Sequence, residues 1–134
     1  MKLTFSEGNL IDKFFNGEFS IIAHDCNCFN TMGSGTAKEI KDRIPEAYVV
    51  DQATIKGDED KLGDYTLAET KHGLVANLYT QYTYWLEGEL VIWDKVEEAL
   101  TKLKDSGAQF YVFNDMDAKM RVLYKRNDGK FGLY

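Results

Sequence analysis

Short apolar runs that alternate with helix-patterned stretches predict an α/β domain. Three of them carry the prediction. Phe19 to Ala23 is almost continuously apolar, as suits a strand buried on both faces. Leu90 to Lys104 sets Ile92, Val96, Ala99, Leu100 and Leu103 on one helical face, and Glu98 can pair with Lys102. Phe110 to Phe113 is a second buried-type strand. A chain of 134 residues is expected to form one domain over 1–134.

The other elements follow in order. Lys2 to Phe5 alternates as a first strand, ended by Ser6-Glu7-Gly8-Asn9. Leu10 to Phe15 forms a short helical turn closed by Asn16-Gly17. After the Phe19–Ala23 strand a loop is expected from His24 to Gly35. Thr36 to Ile44 is a helix carrying Ala37, Ile40 and Ile44, stopped by Pro45, which opens a second helix over Glu46 to Ala53. Gly57 to Gly63 is polar and acidic and reads as a surface loop. Tyr65–Glu69 and Leu74–Tyr79 pair as a hairpin through Thr70-Lys71-His72-Gly73. Lys102, Lys104 and Gly107 mark the end of the long helix. Asn127-Asp128-Gly129, between short apolar runs, predicts a closing hairpin in Arg121 to Tyr134.

Composition narrows the function. Hydrophobic content of 44% and charged content of 28% fit an ordinary globular protein and not a disordered one. A formal net charge of −6 argues against nucleic acid as the main partner and against an anionic membrane. It leaves room for a phosphate-bearing small molecule, because backbone donors need no positive net charge. Cys26 and Cys28 stand too close together for an ordinary structural disulfide, so a reducing compartment is expected. With no secretory pattern and no long apolar span, a cytoplasmic protein without a membrane segment is the expectation. The oligomeric state stays open.

The chemistry concentrates in Ile21 to Ile40. An apolar run ends in a polar cluster, and Gly33-Ser34-Gly35 then opens a helix. A strand, a loop and a helix start can hold an anion on backbone N–H groups. His24, Cys26 and Cys28 alternate onto one side of an extended segment, but zinc needs three or four ligands and His72 is the other histidine of the chain. Packing cysteines are preferred, and neither a metal nor a cofactor is expected. His24 beside Asp25 is the candidate general base or nucleophile against a terminal phosphate, with the carboxylate setting its tautomer. The alternative is a histidine hydrogen-bonded at the end of a buried strand. Asp115 and Asp117 either orient a water or form a solvated turn. Tyr79, Tyr82, Tyr84 and Trp85 offer stacking faces, or else pack the core.

Gly8-Asn9-Leu10-Ile11, Ala23-His24-Asp25-Cys26-Asn27-Cys28 and Met32-Gly33-Ser34-Gly35-Thr36-Ala37, up to Ile40 and Pro45, together resemble a macro domain. The His-x-Cys-Asn-Cys stretch is similar to that of the small stand-alone ADP-ribose-1″-phosphate phosphatase branch. Leu74 to Gln81 resembles the family's central strand and following loop, so the resemblance runs from about Leu3 through Gln81. It implies a three-layer α/β/α fold with a mixed sheet and an ADP-ribose cleft at the strand ends. It further implies that Asn9 and Leu10 lie by the adenine, Asn27 by the distal ribose, and Gly33, Ser34, Gly35 and Thr36 around the diphosphate. Among the aromatics, Tyr82 and Tyr84 are the expected ligand contacts because they sit past the strand, and the likeness to the phosphatase branch keeps His24, with Asp25 setting its tautomer, as the catalytic candidate.

The pattern then changes. Relatives carry a second glycine-rich loop after the strand equivalent to Phe110–Phe113, followed by a helix and usually a strand. Here the positions read Asn114-Asp115-Met116-Asp117-Ala118-Lys119, without glycine, and too few residues remain for helix plus strand. An altered or shortened C-terminal part is therefore expected. The function this implies is binding of ADP-ribose or ADP-ribose-1″-phosphate, with removal of the terminal phosphate from the latter. The alternatives are a non-catalytic ADP-ribose reader, a hydrolase of ADP-ribosylated macromolecules, and a degenerate macro-like interaction domain.

Overall fold

The apolar run beginning at Ile21 becomes the middle strand of the parallel part of the sheet. The computed structural model describes residues 2–3, 9–86, 90–105, 110–114, 121–125 and 130–133, with side chains for 9–86 and 90–105. In chain order the elements are β1 (Lys2–Leu3), α1 (Leu10–Phe15), β2 (Ile21–Cys26), α2 (Gly35–Arg43), α3 (Pro45–Gln52), a 3-10 turn (Glu59–Lys61), β3 (Tyr65–Thr70), β4 (Gly73–Tyr79), α4 (Trp93–Asp105), β5 (Phe110–Asn114), β6 (Arg121–Lys125) and β7 (Lys130–Leu133). They build one seven-stranded sheet in the order β1-β7-β6-β5-β2-β4-β3. Strand β2 runs parallel to β4 and to β5, while β3, β6 and β7 add antiparallel pairings. The sheet is mixed, as expected.

Each face of β2 meets its own helical layer, because alternate side chains point to opposite sides. On one face Ile21, Ala23, Ala76 and Leu78 pack against Val96, Ala99, Leu100 and Leu103 of α4. On the other, Ile22 and Val75 pack against Leu10, Ile11 and Phe14 of α1, Ile40 of α2 and Ala47 of α3. Burying a side chain such as Leu103 or Phe14 contributes roughly 1.5–3 kcal/mol. The three-layer α/β/α arrangement follows. Pro45 sits in the first turn of α3, where its missing N–H removes no helical bond, and it separates α3 from α2 as its position predicts.

The hairpin β3–β4 turns at Gly73, and no other residue fits that position. Its φ is +138°, and an added Cβ would lie 2.3 Å from the carbonyl oxygen of Ser20. That same carbonyl accepts the N–H of Leu74, which ties the turn to the start of β2. At the other edge, β6 and β7 pair antiparallel with Lys125 opposite Lys130. The closing hairpin is thus present, while its turn, Asn127-Asp128-Gly129, lies outside the described residues. So do Thr4 and Phe5 of the first strand, Ser6 to Gly8, Gly107, and Asp115 to Lys119.

Four expectations need correction. The central strand is not Phe19–Ala23 but Ile21–Cys26, because β4 offers ladder partners through Tyr79 and β5 through Asn114. His24 and Asp25 therefore belong to the sheet and not to the loop. The Gly57–Gly63 stretch is not simply a surface loop, since it forms a 3-10 turn and buries Lys61. Helix α4 starts at Trp93 and leaves Ile92 40% exposed, because the N–H of Ile92 is spent on the carbonyl of Thr80 as the chain enters the helix.

Candidate functional site

At the carboxyl end of β2 the chain leaves the sheet for eight residues, Asn27 to Ser34, before α2 begins. In open α/β sheets, crevices outside the carboxyl ends of strands are where ligands bind. The loop is anchored at both ends by packing. Cys28 and Met32 are buried beside Cys26, Ala37 and Tyr79. Backbone bonds fix it further: Cys28 N–H donates to the Tyr82 carbonyl at 3.1 Å, and Gly57 N–H donates to the Cys28 carbonyl at 2.6 Å.

Gly33, Ser34 and Gly35 form its exposed lip. Gly35 holds φ +58°, the left-handed region that glycine enters cheaply. Gly33 does not, and among the described residues a Cβ there would meet nothing within 4 Å, so packing against them does not require a glycine. Ser34 is the N-cap of α2 but makes no side-chain cap bond. The first turn of α2 holds no acidic residue, and Lys41 and Arg43 stand at its far end. The first backbone N–H groups of any helix lack helical acceptors, and its dipole is positive there. Together these make the lip of the loop receptive to an anion. Thr36 is buried just behind it.

Asn27 is buried and bonded within its own loop. Its Nδ2 donates to Thr31 Oγ1 at 2.8 Å and to the Thr31 carbonyl at 3.2 Å, while Oδ1 accepts from Phe29 N–H at 2.8 Å. It shapes the loop from inside. Asn9 is exposed at the start of α1, where its Oδ1 accepts from Asp12 N–H at 3.0 Å. Its Nδ2 lies 3.5 Å from Glu39 Oε1 on α2, which brings Asn9 beside the helix that carries the lip. Leu10 points its side chain into the core. Tyr82 is half-buried, donating its hydroxyl to the Gly57 carbonyl at 2.9 Å and setting its ring edge-on to Phe29.

His24 and Asp25 do not form a pair. Adjacent residues of a strand point to opposite faces, so the carboxylate cannot set the histidine tautomer. Asp25 accepts a short hydrogen bond from the Thr80 hydroxyl, on the face that α4 covers. His24 is fully buried on the other face, with Nε2 2.6 Å from Oδ1 of Asn77, its register partner on β4. Asn77 Nδ2 donates to the Ala47 carbonyl at 2.9 Å, which fixes the amide orientation, so His24 Nε2 carries the proton and donates. Burial holds the His24 pKa down to about 4, with the Asn77 bond opposing the shift. The imidazole is neutral at pH 7 and buried within the fold. The expectation of a base or nucleophile at His24 meets a histidine already committed to the sheet.

The thiols are quiet. Burial raises the Cys26 pKa well above its ordinary value and that of Cys28 to about 11. Among the described residues no group of three His, Cys, Asp or Glu side chains could hold a metal ion. No described helix is long and apolar enough to cross a membrane.

Sequence reasoning missed a buried polar chain beneath the loop. Tyr79 donates its hydroxyl to Asp51 at 2.8 Å, and the Thr66 hydroxyl stands 3.2 Å from that phenol and 3.1 Å from Asn77 Nδ2. Burial raises the Asp51 pKa and lowers that of Lys61. Lys61 sits in a run of acidic residues, and that composition hid it. Beside it opens a cleft of about 270 Å³ lined by Thr54, Asp58, Lys61, Asp64, Thr66 and Tyr79, none of them a residue the sequence had selected for ligand contact except Tyr79 as a stacking face.

Comparison with known proteins adds three findings. Residues 94–133 match the family described as Sigma 54 modulation/S30EA ribosomal protein C terminus. A curated relative, an uncharacterized 17.5 kDa protein in the tk-vs intergenic region of Enterobacteria phage T4, is 37% identical over 87 residues. That alignment takes in 61% of this chain and 55% of the relative, so the chain spans about half the length of the curated protein it matches. Among solved structures, the macrodomain of Thermus aquaticus DarG superposes with TM-score 0.59 at 18% identity, over 78% of this chain and 67% of that one. The macrodomain of Mycobacterium tuberculosis DarG gives 0.58 at 18%, over 78% and 66%. Thermosipho africanus DarTG in complex with ADP-ribose gives 0.62 at 22%, over 83% of this chain and 32% of that one.

Proposed function

From a chain with the macrodomain fold, we propose a protein that binds ADP-ribose or a close derivative through the Asn27–Ser34 loop and the first turn of α2. One observation carries the reading. At the carboxyl end of the central parallel strand, an exposed glycine lip meets a helix N-terminus with no acid in its first turn. A diphosphate suits that combination, since backbone N–H groups supply donors without a net positive surface. A neighbour of the same fold was solved with ADP-ribose bound, which fits the choice of ligand. Asn9 lies beside α2, and its Oδ1 keeps a second lone pair after capping α1, which supports the adenine contact that the resemblance implies for it.

Binding without turnover is the form of this function that the geometry favours. Phosphate removal from ADP-ribose-1″-phosphate is the second reading and rests on the His-x-Cys-Asn-Cys stretch. The burial of His24 and its bond to Asn77 weigh against it as the acting group. Titration calorimetry with ADP-ribose tests the proposal, with saturable heat expected. Gly33→Val, whose Cβ would meet no described residue within 4 Å, should abolish that heat while leaving the unfolding midpoint nearly unchanged. Absence of heat with the wild-type protein refutes the reading, and undiminished affinity in Gly33→Val moves the ligand away from the lip. Phosphate release from ADP-ribose-1″-phosphate by the wild type, lost in His24→Ala with ADP-ribose affinity retained, would restore the phosphatase reading.

A further inference from the structure

We infer that Asn30 is a positioning residue for the ligand loop, latching it onto Lys61 and Thr54; the inference rests on the ADP-ribose reading above. Asn30 holds φ 57°, the one non-glycine residue with positive φ among the described residues. Asparagine tolerates that backbone better than other side chains, but the conformation still needs support from its surroundings. The support comes from outside the loop. Asn30 Oδ1 accepts from Lys61 Nζ at 2.7 Å, Nδ2 donates to the Thr54 carbonyl at 2.8 Å, and the Asn30 carbonyl accepts from Gln52 Nε2 at 2.7 Å.

The division of labour within the loop gives this latch its role. Asn27 bonds to Phe29 and Thr31 and so closes the loop on itself. Asn30 bonds to the segment from Gln52 to Lys61 and so fixes the loop relative to the rest of the molecule. Three residues later the chain reaches the exposed Gly33, and α2 begins two residues after that. Any rotation about the left-handed Asn30 swings the lip.

Lys61 is an expensive partner. The residue is largely buried at the edge of the cleft, and withdrawing its ammonium from water is unfavourable unless acceptors meet it. It finds Asn30 Oδ1, Thr54 Oγ1 at 2.9 Å and the face of the Tyr79 ring with 5.0 Å to the centroid. An apolar side chain would fill the same space at less cost, but would give the loop no direction. The charge-assisted bond to Asn30 supplies that direction.

The test compares ADP-ribose affinity by calorimetry with backbone hydrogen exchange over residues 27–35 in the ligand-free protein. Asn30→Ala should weaken binding about tenfold, the scale of one lost hydrogen bond to a charged group, and should speed exchange in the loop but not in β2. Asn30→Asp keeps an acceptor for Lys61 and tolerates the left-handed backbone but loses the donor to the Thr54 carbonyl, so it should restore both readouts only in part, to between Asn30→Ala and the wild type. Lys61→Met should mimic Asn30→Ala, and the double variant should bind no more weakly than either single one. Leu103→Ala, buried on the opposite face, should lower stability without changing affinity, which separates positioning from general destabilisation. Wild-type affinity in Asn30→Ala overturns the inference. If the wild type itself does not bind ADP-ribose, the ligand reading fails first, and unchanged exchange at residues 27–35 in Asn30→Ala then overturns the latch as well.

Discussion

The buried His24 makes a quantitative prediction about pH. Its folded pKa is about 4, against an ordinary value of 6.5. The folded state therefore resists a proton that the unfolded chain accepts. Stability from this group is complete above the unfolded pKa and declines as pH falls toward the folded one. Between about pH 7.5 and pH 5 the loss amounts to about 2 kcal/mol, rising to roughly 3 kcal/mol once the folded histidine itself protonates. Asp51 pulls the other way at the acid end, because burial raises its pKa and favours its protonated form in the folded state. A single titration of the wild type mixes the two. The informative quantity is the difference between wild type and His24→Gln, whose amide can still donate to Asn77. Urea midpoints at the two pH values should show a steeper acid-side loss in the wild type by about 2 kcal/mol. The imidazole resonances of His24 should stay those of the Nε2-protonated neutral form down to about pH 5. A resonance titrating near the ordinary value, or equal pH slopes in both proteins, would refute the buried placement and reopen His24 as an active base.

Two further outcomes follow from the same packing. Gly73→Ala should destabilise the protein by about 3 kcal/mol or more, since it combines a positive φ with a Cβ driven into the Ser20 carbonyl, and the urea midpoint reads it directly. A loss below about 1 kcal/mol would show that the β3–β4 turn can move away from β2. Cys26 and Cys28 should react with a thiol reagent near pH 8 only as fast as the protein unfolds, because burial keeps both in the thiol form. Rapid labelling of the native protein would show that the loop after β2 opens.

What the sequence made legible was periodicity and punctuation. Pro45 separates two helices, Gly73 ends a hairpin, and the spacing of Val96, Ala99, Leu100 and Leu103 defines the face of α4. The exposed turn that opens α2 was legible too, because glycine and serine ahead of a helix have a local physical meaning. What escaped was whatever depends on a partner distant in sequence. The length of β2 is set by Asn77 to Tyr79 and Asn114, so no reading of residues 21–26 alone could extend it. His24 looked poised because its polarity was visible and its burial was not. Lys61 looked solvated because its neighbours are acidic, although Asn30, thirty-one positions earlier, accepts its hydrogen bond.

The C-terminal third bears on how the site is built. A two-sided phosphate clamp, as the resemblance describes it, needs a second loop after β5 and then a helix. In this chain β5 ends at Asn114, level with His24, while β2 runs on for two more residues to Cys26. Asn114 also faces Arg121 at the start of β6, so the chain returns to the neighbouring antiparallel strand instead of crossing to a helical layer. β7 then follows and receives β1 as its parallel partner, which completes the sheet with strands where the family pattern has a helix. Among the described residues, the groups able to meet a diphosphate come from the β2 side, through the loop and α2. In the proposed role the Asn27–Ser34 loop has to be held firmly, and the bonds of Asn27 within it and of Asn30 beneath it supply that firmness.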